Sequence, residues 1–451
     1  MAESKVRTAP AAQAASTRPP EDSPEFRAKG RRALGAAIFG FFVDMYDVYL
    51  PVIALAPAIS YFSAAGSTTV DMAVFTALIF VASIVGRPLG SLIFGPLGDR
   101  IGRRRTTLIC AAGITVATGL MAVLPGYASI GVWALVSLVV LRLAAGIFLG
   151  GEYTAANPLA MEYTPRHRRG VAGSLINMGY PLALAFITVV TLVTLQFLPA
   201  GGPDSPYATV GWRIPFAVGF VFCGVLFLYY VTSVPESELW TKIPKSQGNP
   251  LRNLFSGRNA HSFAVAFVVG TGAWLTLNGT VGVFAAHFRG MGVPDSRINT
   301  VILISALLGA AMFPLVGAAG QRFGRRQVIM VIGAACTLVS ASAFAAAVGN
   351  ADRVTMVPFA VAAIVPGLWI WAMITAFLME LFPTNVRASG YGVAYTLPSI
   401  VPAFYAYYMV WLSGLMDYAY TPAVIIAVGG VLLLIGGYLA KDRRHLDLDQ
   451  I

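Results

Sequence analysis

Gly95-Pro96-Leu97-Gly98-Asp99-Arg100-Ile101-Gly102-Arg103-Arg104-Arg105 lies between two long apolar runs. A weaker copy, Gly317-Ala318-Ala319-Gly320-Gln321-Arg322-Phe323-Gly324-Arg325-Arg326, follows 222 residues later (321 − 99), about half of the 451-residue chain. Alone, a basic glycine-rich loop is also the pattern of a nuclear address or a nucleic-acid patch. Placed between apolar runs and repeated once per half, it reads as the hinge loop of a two-bundle membrane transporter.

Composition agrees. The chain is 57% hydrophobic and 11% charged, where a soluble domain has roughly a quarter of its residues charged. The net charge of +11 would suit a nucleic-acid partner, but its distribution speaks against one. Basic segments alternate with nearly charge-free ones, the pattern that orients a polytopic membrane protein with basic loops in the cytoplasm. A basic surface of this kind also attracts anionic lipid. Cys110, Cys223 and Cys336 all fall within apolar runs, so no disulfide or metal framework is expected.

A membrane crossing needs about 20 apolar residues. Twelve runs qualify: 34–62, 72–95, 106–124, 131–156, 171–198 and 213–234, then 261–286, 298–319, 328–348, 355–378, 389–413 and 420–440. The boundary between the third and fourth is marked only by Pro125-Gly126. With both termini inside, the only basic residues of the outer loops are Arg213, Arg289, Arg297 and Arg353. The predicted organisation is a disordered cytoplasmic tail (1–32), a six-helix bundle (33–234), a linker (235–259), a second six-helix bundle (260–440) and a short tail (441–451). No apolar core with a cleavage site precedes the first span, so no removable signal peptide is expected. A second echo supports the repeat: Met161-Glu162-Tyr163-Thr164-Pro165 with Arg169 returns as Met379-Glu380-Leu381-Phe382-Pro383 with Arg387. The fold class is therefore all-α, with two pseudo-symmetric bundles and a binding site near mid-membrane between them.

Charges inside a membrane are costly and mark function. Asp44 and Asp47 share one face of the first span. Arg87 lies in the second span, Arg142 in the fourth, and Glu152 towards the cytoplasmic end of the fourth. One reading makes these acids and arginines structural ion pairs. The other makes Asp44 or Asp47 a proton site, with a mobile Arg142 that binds either the acid or a substrate carboxylate. In the second half, Trp274 and Asn278 share a helix face, and Tyr391 and Tyr395 add aromatic and hydroxyl groups. Arg87, Arg142, Trp274, Asn278, Tyr391 and Tyr395 are the candidate substrate contacts. Asp99 is expected to dock on the start of the eleventh helix near Ser389-Gly390 and shut the cytoplasmic side, with Arg100, Arg103, Arg104 and Glu152 as further gating residues. Because Gln321 replaces the acid in the second loop, this latch is not expected to be duplicated.

The signature loop resembles the G-x-L-x-D-R-x-G-R-R element of the major facilitator superfamily. Asp44-Met45-Tyr46-Asp47, Arg87-Pro88-Leu89-Gly90, Arg142 through Gly150-Gly151-Glu152, Trp212-Arg213-Ile214-Pro215-Phe216 and Glu380-Leu381-Phe382-Pro383-Thr384 with Arg387 resemble elements of its metabolite:proton symporter group. That resemblance implies alternating access powered by the proton gradient, with organic acids such as citrate or shikimate, or zwitterions such as proline and betaine, as cargo. The family commonly has Glu-Trp where this chain has Asp44-Met45, so substrate identity does not carry over.

The expected function is proton-coupled symport of a small organic acid, without a cofactor or metal, by a monomer in a bacterial inner membrane. The alternatives are a carrier of zwitterions or sugars, a proton-antiporting exporter, or a membrane sensor that keeps the fold without transport. An enzyme is not expected, since no nucleophile–base set or metal cluster can be assembled from four histidines, and the nucleotide-loop fragment Gly270-Thr271-Gly272 lacks its strand.

Overall fold

A computed structural model describes residues 23–64, 67, 69–242 and 250–448. Residues 1–22, 243–249 and 449–451, parts of the expected tails and linker, lie outside the described residues.

Twelve crossings are present among the described residues. In chain order they are α1 (Pro24–Phe62), α2 (Thr69–Ile101), α3 (Arg103–Ala122), α4 (Trp133–Glu162), α5 (Arg166–Phe197), α6 (Tyr207–Ser233), α7 (Gly257–Gly290), α8 (Asp295–Phe323), α9 (Arg325–Gly349), α10 (Met356–Met379), α11 (387–413) and α12 (Tyr418–Leu439). Eleven of these are continuous helices long and apolar enough to span a membrane. The twelfth, α11, is broken at Leu397–Ser399 and again after Ala403. Pro398 and Pro402 lie at these breaks, where the missing N–H groups interrupt the helical ladder. The chain is a multi-pass membrane protein.

One boundary differs from expectation. Residues 24–32 are helix rather than disordered tail, because α1 starts at Pro24 behind the Ser23 cap. Phe26 is buried, its ring 5.4 Å from that of Tyr163, and Lys29 pairs with Glu238 at 2.9 Å. These contacts hold the extension.

Both signature loops turn on a glycine in the left-handed region, Gly102 at φ 109° and Gly324 at φ 108°. A residue with a Cβ is strained there, which explains the Gly in each Gly-Arg-Arg. The face of the molecule that carries these loops is called the basic face below. Between α2 and α4 the backbones themselves touch. A Cβ on Gly86, Gly90, Gly146 or Gly150 would strike main-chain atoms of the facing helix. Close packing by small residues is a common device of membrane helices, and here it fixes Arg87 of α2 against α4.

The halves meet along α2 and α4 against α11, and along α5 against α8 and α10. The pairs α2–α11 and α5–α8 occupy equivalent places in the two repeats.

Candidate functional site

At the basic face, Asp99 in the last turn of α2 reaches across to α11. Its carboxylate accepts from the backbone N–H of Ala388 (3.2 Å), the N–H of Ser389 (3.0 Å) and the Ser389 hydroxyl (2.7 Å). The first N–H groups of a helix have no partner within it, and an acid there also meets the positive end of the dipole. Arg103 lies 3.3 Å from Asp99 and donates to the Thr384 carbonyl at 3.0 Å. Glu162 of α4 sits between Arg103 (3.4 Å) and Arg387 (3.1 Å) and accepts from the Ser237 hydroxyl. A buried chain of alternating charge, Asp99–Arg103–Glu162–Arg387, thus ties one half to the other.

The remaining gating candidates sit elsewhere. Arg104 donates to the carbonyls of Val234 (2.7 Å) and Val231 (2.8 Å), closing the end of α6. The Glu236 carboxylate accepts from the N–H groups of Arg103 and Arg104 and so caps α3. Arg104 is therefore a clamp within the first half. Arg100 is exposed and has no hydrogen bond or ion pair among the described residues. Glu152 lies ten residues before the end of α4, about 15 Å deep at ~1.5 Å per residue, and is not at the gate.

The second half repeats the arrangement, contrary to expectation. Gln321 accepts from the N–H of Gly170 at 3.1 Å, at the start of the repeat-related helix α5. Arg325 pairs with Glu380 at 3.0 Å, as Arg103 does with Glu162. An amide oxygen accepts the same hydrogen bond as a carboxylate, so loss of the acid weakens the latch without removing it.

The chain's end crosses this surface. Arg169 donates to the Leu446 carbonyl (2.8 Å) and Arg387, its repeat mate, to that of Leu448 (2.6 Å). Leu448 is 1% exposed.

Deeper in the membrane the two acids of α1 have separate partners. Asp47 accepts from Arg142 at 2.9 Å and from the Thr118 hydroxyl at 3.1 Å, and Arg142 also holds the Asp47 carbonyl at 2.9 Å. This cluster of α1, α3 and α4 is wholly buried inside the first half. In this structure Arg142 is thus engaged with Asp47 within the first half. Asp44 instead accepts from Arg87 at 2.7 Å, and its second oxygen is unpaired.

Arg87 leads to the interface. Its guanidinium carbon is 5.8 Å from the Tyr153 ring centre, and Tyr153 packs on Tyr395 at 5.0 Å. Trp371 lies 5.8 Å from Tyr395 and 4.8 Å from Trp274, and Tyr391 stacks on Tyr395 at 6.1 Å. The result is one aromatic cluster contributed by both halves, with a single ion pair at its edge. Trp274 also donates to the Tyr395 carbonyl at 3.2 Å. Asn278 uses its amide on the Pro402 carbonyl at 3.0 Å, bracing the second break of α11, and is not brought into the cluster. The Trp371 indole nitrogen is buried without an acceptor, a polar handle inside an apolar wall.

A hydrogen-bonded bridge runs beside the cluster. Asn157 donates to the Tyr391 hydroxyl (2.8 Å), which bonds Thr375 (3.0 Å), and Asn177 donates to Thr375 (2.8 Å). Sequence reading missed Tyr153, Asn157 and Asn177. Tyr153 and Asn157 stand four apart in α4, the spacing that drew attention to Trp274 and Asn278, so the signal was present.

A family model of the Major Facilitator Superfamily matches residues 34–406. The chain is 28% identical over 428 residues to the inner membrane metabolite transport protein YhjE of Escherichia coli K12, covering 92% of this chain and 95% of that one. It is 26% identical over 438 residues to the proline/betaine transporter of the same strain, covering 93% and 85%. Among solved structures, the proton:xylose symporter XylE superposes with a TM-score of 0.67 at 18% identity, over 92% of this chain and 94% of that one.

Proposed function

This chain belongs to the Major Facilitator Superfamily, a transporter and not an enzyme, and we propose that it couples protons to uptake of a small carboxylate-bearing metabolite. The observation that carries this reading is the Arg87–Asp44 pair at the edge of an aromatic cluster shared by both halves.

Arg87 can serve one carboxylate well. While Asp44 is ionised it holds the guanidinium. Protonation of Asp44 weakens that bond, and Arg87 then meets the substrate carboxylate in a bidentate, charge-assisted pair. Proton and substrate therefore favour each other's binding, as symport requires. The Trp274, Trp371, Tyr153 and Tyr395 rings suit a cationic nitrogen, which gains about 0.5–2 kcal/mol over an aromatic face. That favours zwitterions of the proline or betaine kind within the organic-acid class. The relatives named for proline and betaine support the same preference.

The basic face is assigned to the cytoplasm by its excess of Arg and Lys, with both ends of the chain inside. Release to that side breaks the contacts of Asp99 with Ser389 and of Glu162 with Arg387. The proton gradient supplies the energy, and the transporter works as a monomer in a bacterial inner membrane.

The test is internal pH in proteoliposomes during external addition of proline, glycine betaine, shikimate, 2-oxoglutarate and xylose. Acidification with one carboxylate, lost in Asp44→Asn, supports the proposal. A response to xylose alone would replace the substrate class. Silence throughout in folded protein would overturn symport.

A further inference from the structure

Glu152 is a buried carboxylate, 2% exposed, with neither an ion pair nor a hydrogen bond among the described residues. It shares a small void with Gly40, Val43, Asp44, Ala111, Ile114, Leu149, Cys223 and Leu226, and the void has no room for water. Asp44 and Glu152 both line this void, and each has a buried oxygen without a hydrogen-bond partner among the described residues.

We propose that Glu152 is a second proton-binding carboxylate, following Asp44 on the way to the basic face. The inference rests on the symport reading above. Its depth supports the order. Helix α1 runs inward from the basic face, and Glu152 lies against Gly40, one turn nearer that face than Asp44. A Cβ at Gly40 would come within 2.6 Å of a Glu152 oxygen, so the glycine makes room for the acid.

The surroundings leave the carboxylate no counter-charge. Asp44 on α1, Cys110 on α3, and Cys223 and Tyr230 on α6 are the titratable groups near it, none of them cationic. Tyr391 on α11 is a further group of this kind. The nearest cation, Arg87 on α2, is committed to Asp44 at 2.7 Å. An isolated anion in such a place is expensive, whereas a carboxylic acid is tolerated. A group of this kind inside a membrane span belongs to a functional pathway by default. The step conserves atoms and charge: opening of the basic face lets the Glu152 O–H break and its proton pass to water, after which the Asp44 O–H breaks and an O–H re-forms on Glu152. No electron moves.

Reconstituted full-length protein tests this with the same five compounds. Two readouts are needed: exchange of labelled compound across the membrane, which requires no net proton movement, and internal acidification. Glu152→Gln is expected to keep exchange and lose acidification, and Glu152→Asp to recover acidification in part. Infrared spectra of substrate-free protein should show a protonated carboxyl band that Glu152→Gln removes. Full acidification by Glu152→Gln would overturn the inference. So would loss of exchange as complete as the loss of acidification in a variant that melts like wild type. Absence of acidification in wild type itself would bring down the symport reading, and this inference with it.

Discussion

Gln321 accepts a hydrogen bond from the backbone N–H of Gly170 at 3.1 Å, in the place where Asp99 accepts from Ala388 at 3.2 Å in the other repeat. The two latches occupy equivalent places, but Asp99 carries a charge and accepts three hydrogen bonds from α11, whereas Gln321 is neutral and accepts one from α5. An acid at a helix start contributes about 0.3–1 kcal/mol, up to ~2 when partly buried. Asp99→Asn, which makes the first latch resemble the second, is therefore expected to shift the balance towards a basic face that is open. The shift should be roughly 2- to 30-fold, at 1.4 kcal/mol per factor of ten. Spin-label distances between the tips of α2 and α11 measure it, and an unchanged distribution speaks against a latch.

Glu162 binds two buried arginines, Arg103 and Arg387. Removal of one member of a buried ionic cluster costs roughly 3–5 kcal/mol because the partner charges stay buried. Glu162→Gln should melt well below wild type in detergent, and more so than Asp99→Asn.

The two latches differ in how far they could be read from sequence. Asp99 docking on the start of α11 followed from an acid in a basic loop and a helix start on the same side. Gln321 carried no charge to mark it, and only the folded backbone brings Gly170 to its amide. Twelve crossings were legible because twenty apolar residues in a row have few other uses. The helical start at Pro24 was hidden, since its cause is the distant Tyr163 and Glu238. Arg142 and Arg87 looked equivalent as lone arginines in spans. Their difference lies in tertiary placement, one facing Asp47 inside the first half and the other facing the aromatic cluster.

The chain's end should act on the same equilibrium. Truncation after Ala440 deprives Arg169 and Arg387 of the Leu446 and Leu448 carbonyls. Hydrogen bonds to charged groups contribute about 1.5–3 kcal/mol each. The truncated protein is expected to populate the state open at the basic face more than wild type does, read by the same spin labels.

Arg142 predicts a contrast. Arg142→Lys loses one of the two contacts to Asp47 and should lower the melting temperature while leaving substrate preference unchanged. Trp371→Leu should do the reverse. It should weaken binding of glycine betaine by roughly 2- to 30-fold, the worth of one cation–π contact of about 0.5–2 kcal/mol, and weaken shikimate less. Parallel losses for both compounds would argue against a cationic subsite.

The central claim is the exchange of Arg87 between Asp44 and a substrate carboxylate, and titration calorimetry in buffers of different ionisation enthalpy tests it most directly. With the compound that wild type transports, binding should take up a proton, strengthening as pH falls through the range where Asp44 protonates and fading above it. In Asp44→Asn, which fixes the neutral form, binding should persist with that pH dependence gone. Proton uptake by Asp44→Asn equal to that of wild type would contradict the claim.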